Sequence, residues 1–305
     1  MAEPFRIAGL KHLGQGKVRD IYEINDEQLL LVASDRISAF DVVMSEAIPN
    51  KGQVLTQLAA YWFTATSHII GNHLVSANDD DVCAAVVGAG GVWNDWLCGR
   101  VMLCQRTKPL AVEAVVRGYL SGSGWKQYRQ TPGQLWGHNL PLGLVESEAL
   151  PEPIYTPSSK ATEGHDLPLT VEEAALVSSG FANEVEKAAI NLYRFAAETV
   201  FPLGLILADT KFEFGVDPNG KLLLIDEALT PDSSRYWLAD QYRTGISPPS
   251  FDKQYVRDYL ESVEGWNKQY PAPTLPEDVV MQTRAKYLDA FVRITGAELP
   301  YVSNG

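Results

Sequence analysis

The stretch ADTKFEFGVDPNGKLLLIDE, residues 208–227, reads as two strands joined by a tight turn. Asp217-Pro218-Asn219-Gly220 carries the turn signal, with Pro second and Gly fourth. The arms are mostly apolar, yet Asp209, Lys211, Glu213, Asp226 and Glu227 are spaced along them. Two readings are open: a solvated face with surface ion pairs, or a site for a metal and phosphate. With a two-residue loop, 217 faces 220 and 211 faces 226, so Lys211, Glu213 and Asp226 share one face of the sheet. Glu213 and Asp226 are then diagonal neighbours, with Cα atoms about 7–8 Å apart. Carboxylates so placed can hold one Mg²⁺ at ~2.1 Å per oxygen and leave positions for phosphate. A three-residue loop with a glycine bulge instead shifts the pairing by one and separates the two carboxylates.

Upstream of this hairpin, NEVEKAAINLYRFAAETVF (183–201) is amphipathic at helical period, with Val185, Ala188, Ala189, Leu192, Phe195 and Ala196 on one face. Thr170-Val171-Glu172-Glu173 forms a capping box that opens a shorter helix. Residues 132–166 are rich in Pro and Gly and read as loop. RVMLCQRTKPLAVEAVVR (100–117) reads as two strands broken at Lys108-Pro109. At the start of the chain, KVRDIYEI (17–24) and QLLLVASD (28–35) flank a hairpin signal, and GQVLTQLAAYWFTATSHII (52–70) switches to helix. Two further helices are expected at 251–263 and 277–294, the second entered through Pro276. The order is antiparallel β, then mixed β and helix, then mostly helix. This predicts an α+β protein with a β-rich lobe over 1–113 and a larger mixed lobe with helices over 114–305. A cleft between such lobes is a favoured ligand site.

The chain has 305 residues and a net charge of −13, which disfavours nonspecific binding to nucleic acid or anionic membrane. An anionic substrate would need a local concentration of Lys and Arg. The three cysteines, Cys83, Cys98 and Cys104, match no zinc spacing and no disulfide framework. The first residues lack the apolar core of a signal peptide, and no 18 apolar residues run together. A cytoplasmic protein with no membrane span is expected.

Other stretches suit anions more loosely. LGQGKVRDIYEI (13–24) sets two glycines before Lys17 at the start of a strand, where backbone N–H groups and an ammonium can cover a phosphate. It is neither of the two best-known phosphate fingerprints, and a plain turn before a strand is the other reading. VVRGYLSGSGWK (115–126) places Arg117 before a Gly/Ser loop that includes Ser123. PDSSRYW (231–237) adds Asp232 and Arg235, its serines suited to capping a helix, and SDRISAFDVVM (34–44) sets Asp35, Arg36, Ser38 and Asp41 just after a buried strand. PSSKATEGHD (157–166) carries Lys160, His165 and Asp166 with no identifiable partner for the histidine. Neither a serine-hydrolase elbow nor a zinc-protease motif is present.

GKVRDIYE, SDRISAFDVVM, IPNKGQVLTQL, VEAVVRGYLSGSGWK, ADTKFEFG and IDEALTPDSSRYW, taken in order, resemble the phosphoribosylaminoimidazole-succinocarboxamide synthases of purine biosynthesis, most closely their longer single-function form found in fungi. The resemblance runs from about residue 14 to residue 290. It implies an ATP- and Mg²⁺-dependent ligase that joins carboxyaminoimidazole ribonucleotide to L-aspartate, with ATP in the cleft between the lobes. It further implies that Gly16, Lys17, Arg19 and Lys211 hold the ATP phosphates and that Glu213 and Asp226 hold the magnesium. Asp209 and Asp232 match acids near the imidazole substrate, and together with Lys211 they form the implied catalytic set. Arg117, Ser123 and Arg235 match groups that hold the ribonucleotide 5′-phosphate, and Ser38 and Asp41 match a loop near the aspartate pocket. Arg36 has no assigned role. The implied partners are small-molecule substrates alone, and a monomer is expected. A small-molecule kinase and a non-catalytic nucleotide-binding module are the rival readings.

Overall fold

The two stretches that flank the first hairpin signal become paired strands, and the later helical stripes become helices. The computed structural model of the chain describes residues 6–160, 167–251 and 253–302. The fold is α+β, and the chain divides into two units that interleave along the sequence. One takes the residues up to Phe63, His73–Arg106 and those from Phe251 on; the other takes Thr64–Asn72 and Thr107–Ser250. The sequence reading drew a single contiguous boundary after residue 113 instead.

The first unit opens with β1 (Lys11–Gln15), β2 (Arg19–Glu23) and β3 (Gln28–Ala33). A hairpin of β4 (Arg36–Ala39) and β5 (Val42–Ala47) follows, then α1 (Lys51–Ala65), β6 (Leu74–Ser76), α2 (Asp79–Gly88) and β7 (Val101–Gln105). An antiparallel sheet runs in the order β1-β2-β3-β7-β6. Tyr22, Leu30, Val32, Val101 and Leu103 from the sheet bury against Val82 and Val86 of α2. In the β4–β5 hairpin Ala39 faces Val42, so Phe40 and Asp41 form the whole turn. Both have positive φ, 51° and 63°, as a two-residue type I′ turn demands.

The second unit begins with the long strand β8 (Lys108–Tyr119) and α3 (Gly122–Gln130). Next come β9 (Gln134–Leu135), β10 (His138–Asn139), β11 (Ala149–Tyr155), β12 (Ser158–Ser159), α4 (Val171–Val177) and α5 (Ala182–Val200). The unit closes with β13 (Leu205–Val216), β14 (Leu222–Ile225) and β15 (Ser234–Leu238). Its sheet runs β11-β8-β13-β14, with β12 also on β8 and β15 also on β13. α5 buries Val185, Ala188, Ala189, Leu192, Tyr193, Ala196 and Val200, the face its spacing predicts apart from Tyr193 and Val200 in place of Phe195. The Thr170–Glu173 capping box is formed at the start of α4.

Residues from Phe251 on return to the first unit as α6 (Gln254–Ser262) and α7 (Glu277–Thr295). Val256, Leu260, Leu275 and Val279 there pack with Ile37, Ala39, Val42, Met44 and Ile48 of the β4–β5 region. No helix among the described residues is long and apolar enough to cross a membrane.

One open local question is decided, and local expectations are corrected at three places. Glu213 faces Ile225 and Val216 faces Leu222, so the 208–227 hairpin has the three-residue loop, not the two-residue one. The reason is Asp217, whose Oδ1 accepts the N–H groups of Asn219 (2.9 Å) and Lys221 (2.8 Å), while Gly220 takes the left-handed φ of 82° that a bulged turn requires. The strand break expected at Lys108-Pro109 falls two residues earlier; Pro109 lies inside β8, opposite Gly215 and beside a bulge that spares a ladder hydrogen bond. Residues 132–160 are not all loop but supply the short strands β9 to β12. The serines at 233–234 cap no helix: Ser234 opens β15. His165 and Asp166 lie outside the described residues.

Candidate active site

β13 organises the second unit's charged groups because it has β8 on one edge and β15, then β14, on the other. In-register pairing puts Asp209 opposite Arg117 of β8 and also opposite Arg235 of β15. Three strands thus deliver an Arg–Asp–Arg row. Asp209 Oδ2 accepts from Ser121 Oγ at 2.6 Å and from Arg235 Nη1, and lies 3.8 Å from Arg117 Nη1. Arg235 Nη1 also donates to Ser121 Oγ at 2.8 Å. Arg117 donates from Nε to Thr156 Oγ1 (3.0 Å) and from Nη2 to Ser123 Oγ (3.1 Å). Two positive charges therefore meet one negative charge at the start of α3. Burial pulls the Arg117 pKa down, with the Arg235 charge adding to the effect and Asp209 opposing it.

The glycines before and within α3 are part of this geometry. Gly122 has φ 54°, and a Cβ there would stand 2.9 Å from Arg235 Nη2. The helix N-terminus brings unpaired N–H groups to the same place as the guanidiniums. Such a cradle suits a phosphate dianion.

One repeat further along β13 lies a second cluster. Glu213 stands directly opposite Glu113 of β8. Lys211 Nζ pairs with Glu113 and lies 3.7 Å from Glu213 Oε1, while Lys160 Nζ, from the segment just past β12, pairs with Glu213 Oε2. Ser158 Oγ donates to Glu113 Oε2 at 3.2 Å. Asp226 enters by a route other than strand alternation. It follows β14 with φ 63°, and that turn returns its charge to the cluster, where it acts on both Glu213 and Lys211.

The electrostatics follow from the crowding. Burial raises the Glu213 pKa, Asp226 raises it further, and Lys211 and Lys160 pull the other way. Burial works against the Lys211 ammonium, but Glu213, Glu113 and Asp226 outweigh it and its pKa is raised. Burial and Asp226 thus disfavour the charged form of Glu213, while the surrounding carboxylates favour the charged form of Lys211. Among the described residues, no three His, Cys, Asp or Glu side chains form a metal-holding group by themselves. Asp232 lies in the turn Thr230–Ser233, which the Lys211 N–H ties to β13 by donating to Ser233 O at 2.8 Å.

In the first unit, Gly16, Lys17 and Arg19 sit at the β1–β2 connection, closed by Gly16 N–H donating to Arg19 O at 2.7 Å. Lys17 Nζ pairs with Asp41 in the β4–β5 turn, and Ser38 lies on β4 facing Val43. The expected residues thus fall into three sets, Arg117, Ser123, Asp209 and Arg235; Lys211, Glu213 and Asp226; and Gly16, Lys17, Arg19, Ser38 and Asp41, with Asp232 apart from them in the Thr230–Ser233 turn. Sequence reasoning missed Glu113, Ser121 and Thr156 and gave Lys160 no partner. Glu113 had a signal, being a lone carboxylate in the apolar run LAVEAVV (110–116).

A sheet that carries a cationic anion cradle beside a mixed carboxylate–ammonium cluster is the arrangement of an enzyme that handles small phosphorylated molecules, and its relatives make it a ligase. The family model described as SAICAR synthetase matches residues 12–273. The chain belongs to the SAICAR synthetase family. It is 54% identical over 94% of its length to the phosphoribosylaminoimidazole-succinocarboxamide synthase of Syntrophotalea carbinolica, of which it covers 95%. It is 51% identical over 97% of its length to the synthase of that name from Thioalkalivibrio sulfidiphilus, of which it covers all. Among solved structures, a chain described as SAICAR-synthase from Saccharomyces cerevisiae complexed with SAICAR superposes with a TM-score of 0.84 at 39% identity, covering 95% of this chain and 96% of that one. The chain matches these relatives nearly end to end, but it is 54% and 51% identical to the Syntrophotalea and Thioalkalivibrio synthases against 39% for the yeast chain, so the expected likeness to the fungal form above others does not hold.

Proposed function

We propose that this chain joins carboxyaminoimidazole ribonucleotide to the amine of L-aspartate at the expense of ATP, releasing ADP and phosphate. The observation that carries the reading is the Arg117–Asp209–Arg235 row at the start of α3, one repeat along β13 from the Lys211–Glu213 cluster. That spacing suits a substrate with a phosphate at one end and a carboxylate to be activated at the other. The yeast structure described as a SAICAR complex, at 39% identity, supports the same substrate class.

A carboxylate is a poor acyl donor because oxide would have to leave. If a carboxylate oxygen takes the γ-phosphoryl group of ATP, ADP departs; the aspartate nitrogen then attacks the acyl carbon, phosphate leaves with the C–O bond's electron pair, and the nitrogen gives up a proton. Arg117, Arg235, Ser121 and Ser123 bind the ribonucleotide phosphate and fix the ring's position. Lys211 and Lys17 neutralise the charge on the phosphates of ATP, with Gly16 and Arg19 shaping the loop beside them. Asp209 and Asp232 orient the imidazole, and Ser38 and Asp41 receive the aspartate.

Glu213 and Asp226 are two hard oxygen donors, and they would be the residues to hold one Mg²⁺. When bound, such an ion supplies charge neutralisation on the transferred group. A monomeric state and a cytoplasmic location, expected from the sequence, belong to the same proposal.

The test is ADP release by the purified protein with Mg-ATP and carboxyaminoimidazole ribonucleotide, with and without L-aspartate. Aspartate-dependent release with an amide product is expected, reduced at least ~10²-fold in Glu213→Gln. Release that ignores aspartate would establish a kinase, and no release under any condition would leave only a binding module.

A further inference from the structure

We infer that Arg36 is the positioning residue of the Gly16–Arg19 phosphate loop, holding it open for an anion without touching the anion itself. The inference rests on the proposed role of that loop in ATP binding. β1 and β2 pair as far as Gln15 and Asp20, so the connection is short and closed on itself. Three successive carbonyls in it are engaged by one segment, Ser34–Arg36. Arg36 Nη2 donates to Gly16 O at 3.4 Å, and Arg36 Nε donates to Lys17 O at 3.1 Å. Val18 O accepts from the Ser34 N–H at 2.8 Å and from Ser34 Oγ at 2.7 Å.

A trans peptide is planar, with its C=O and the following N–H on opposite sides. Drawing the carbonyls of Gly16 and Lys17 toward Arg36 therefore turns the N–H groups of Lys17 and Val18 the other way. A run of N–H groups with a common direction is the backbone's own anion receptor. The guanidinium is anchored in turn. Arg36 Nη2 lies 3.0 Å from Asp20 Oδ2, and Asp20 has no solvent-accessible side-chain surface and pairs also with His12 Nε2 at 3.1 Å. The Arg36 side chain is only 12% exposed. Nε and Nη2 are committed to carbonyls and to Asp20, so this edge of the fork serves the loop. A lysine could reach one of these acceptors but could not span both carbonyls with a planar fork.

The test compares nucleotide affinity by calorimetry, together with steady-state constants, for the wild type, Arg36→Met and Arg36→Lys. Arg36→Met is expected to weaken Mg-ATP binding about 10- to 100-fold, the loss of two hydrogen bonds from a charged donor. Adenosine, which carries no phosphate, should bind within about threefold of wild type, and KM for the two acyl-transfer substrates should be unchanged. Arg36→Lys should fall between, and guanidinium added to Arg36→Met should recover part of the loss. Equal weakening of ATP and adenosine, or no weakening of ATP, would overturn the inference. If Arg36→Met does not fold, Ser34→Ala carries the test, with an ATP-selective loss of about threefold or more expected and an unselective one overturning it. Lys17→Ala separates the two layers of argument. Lost ATP affinity in Lys17→Ala with none lost in Arg36→Met refutes the clamp alone, whereas unchanged affinity in both refutes the phosphate loop.

Discussion

Asp209→Asn tests the charge row directly, because the amide keeps the shape and removes the one negative charge between two guanidiniums. Side-chain exposure is 9% at Arg117, 15% at Asp209 and 19% at Arg235, so water screens the row only in part. Breaking a buried pair by removing one partner costs about 3–5 kcal/mol, and exposed pairs are worth about 1 kcal/mol or less. The row lies nearer the buried limit, and a loss of about 2–3 kcal/mol is expected. Equilibrium urea unfolding at low salt, followed by tryptophan fluorescence, would measure it. A second arm separates charge balance from packing. Inorganic phosphate restores the missing negative charge, so it should stabilise Asp209→Asn by more than it stabilises the wild type, following the logarithm of one plus concentration over Kd. Stability within ~0.5 kcal/mol of wild type, or a phosphate effect no larger in the variant, would refute the reasoning.

Two further outcomes are expected. A Cβ at Gly118 would stand 1.8 Å from Tyr193 Oη, which donates to Leu207 O at 2.7 Å, and 2.7 Å from Tyr193 Cζ; Gly118→Ala should therefore cost about 2 kcal/mol or more in urea unfolding, and adding Tyr193→Phe, which keeps Cζ and loses the hydrogen bond, should not restore wild-type stability. Burial, with Asp79 and Cys98 alongside, pushes the Tyr301 phenol from 10.0 up to about 12. Because the folded state favours the neutral phenol, the stability it contributes is complete below pH 10.0 and is lost as pH rises through about 12; comparing the wild type with Tyr301→Phe in thermal melts across that window should show a shallower decline in the variant.

Where local chemistry determines local structure, the sequence was legible. The stripe of α5, the capping box at Thr170 and the two strands flanking the first hairpin signal each appear where the local sequence places them. The hairpin register was not decided, because Pro218 and Gly220 suit either loop and the choice fell to hydrogen bonds from the Asp217 side chain. Asp226 reached its cluster through a left-handed φ that no alternation rule anticipates. Arg117, Asp209 and Arg235 were picked out one by one, but their alignment depends on the pairing of three strands distant in sequence. Lys160 was visible as a residue and invisible as a partner of Glu213 for the same reason. Arg36, unassigned by any motif, acquires meaning only once its acceptors are known to be two consecutive carbonyls of one loop, Gly16 O and Lys17 O, with Asp20 behind them.

The interleaving of the two units bears on how the chain is made. The β4–β5 hairpin that carries Ser38 and Asp41 buries Ile37, Val42 and Met44 against Val256, Leu260 and Val279. During synthesis those first residues leave the ribosome long before their packing partners exist, and the whole of Thr107–Ser250 emerges in between. Domains ordinarily complete in the order in which they are translated. Here the segment that begins first must finish last, exposing an apolar hairpin throughout the wait. Chain breaks or slow codons within 107–250 therefore threaten a part of the protein that they do not encode.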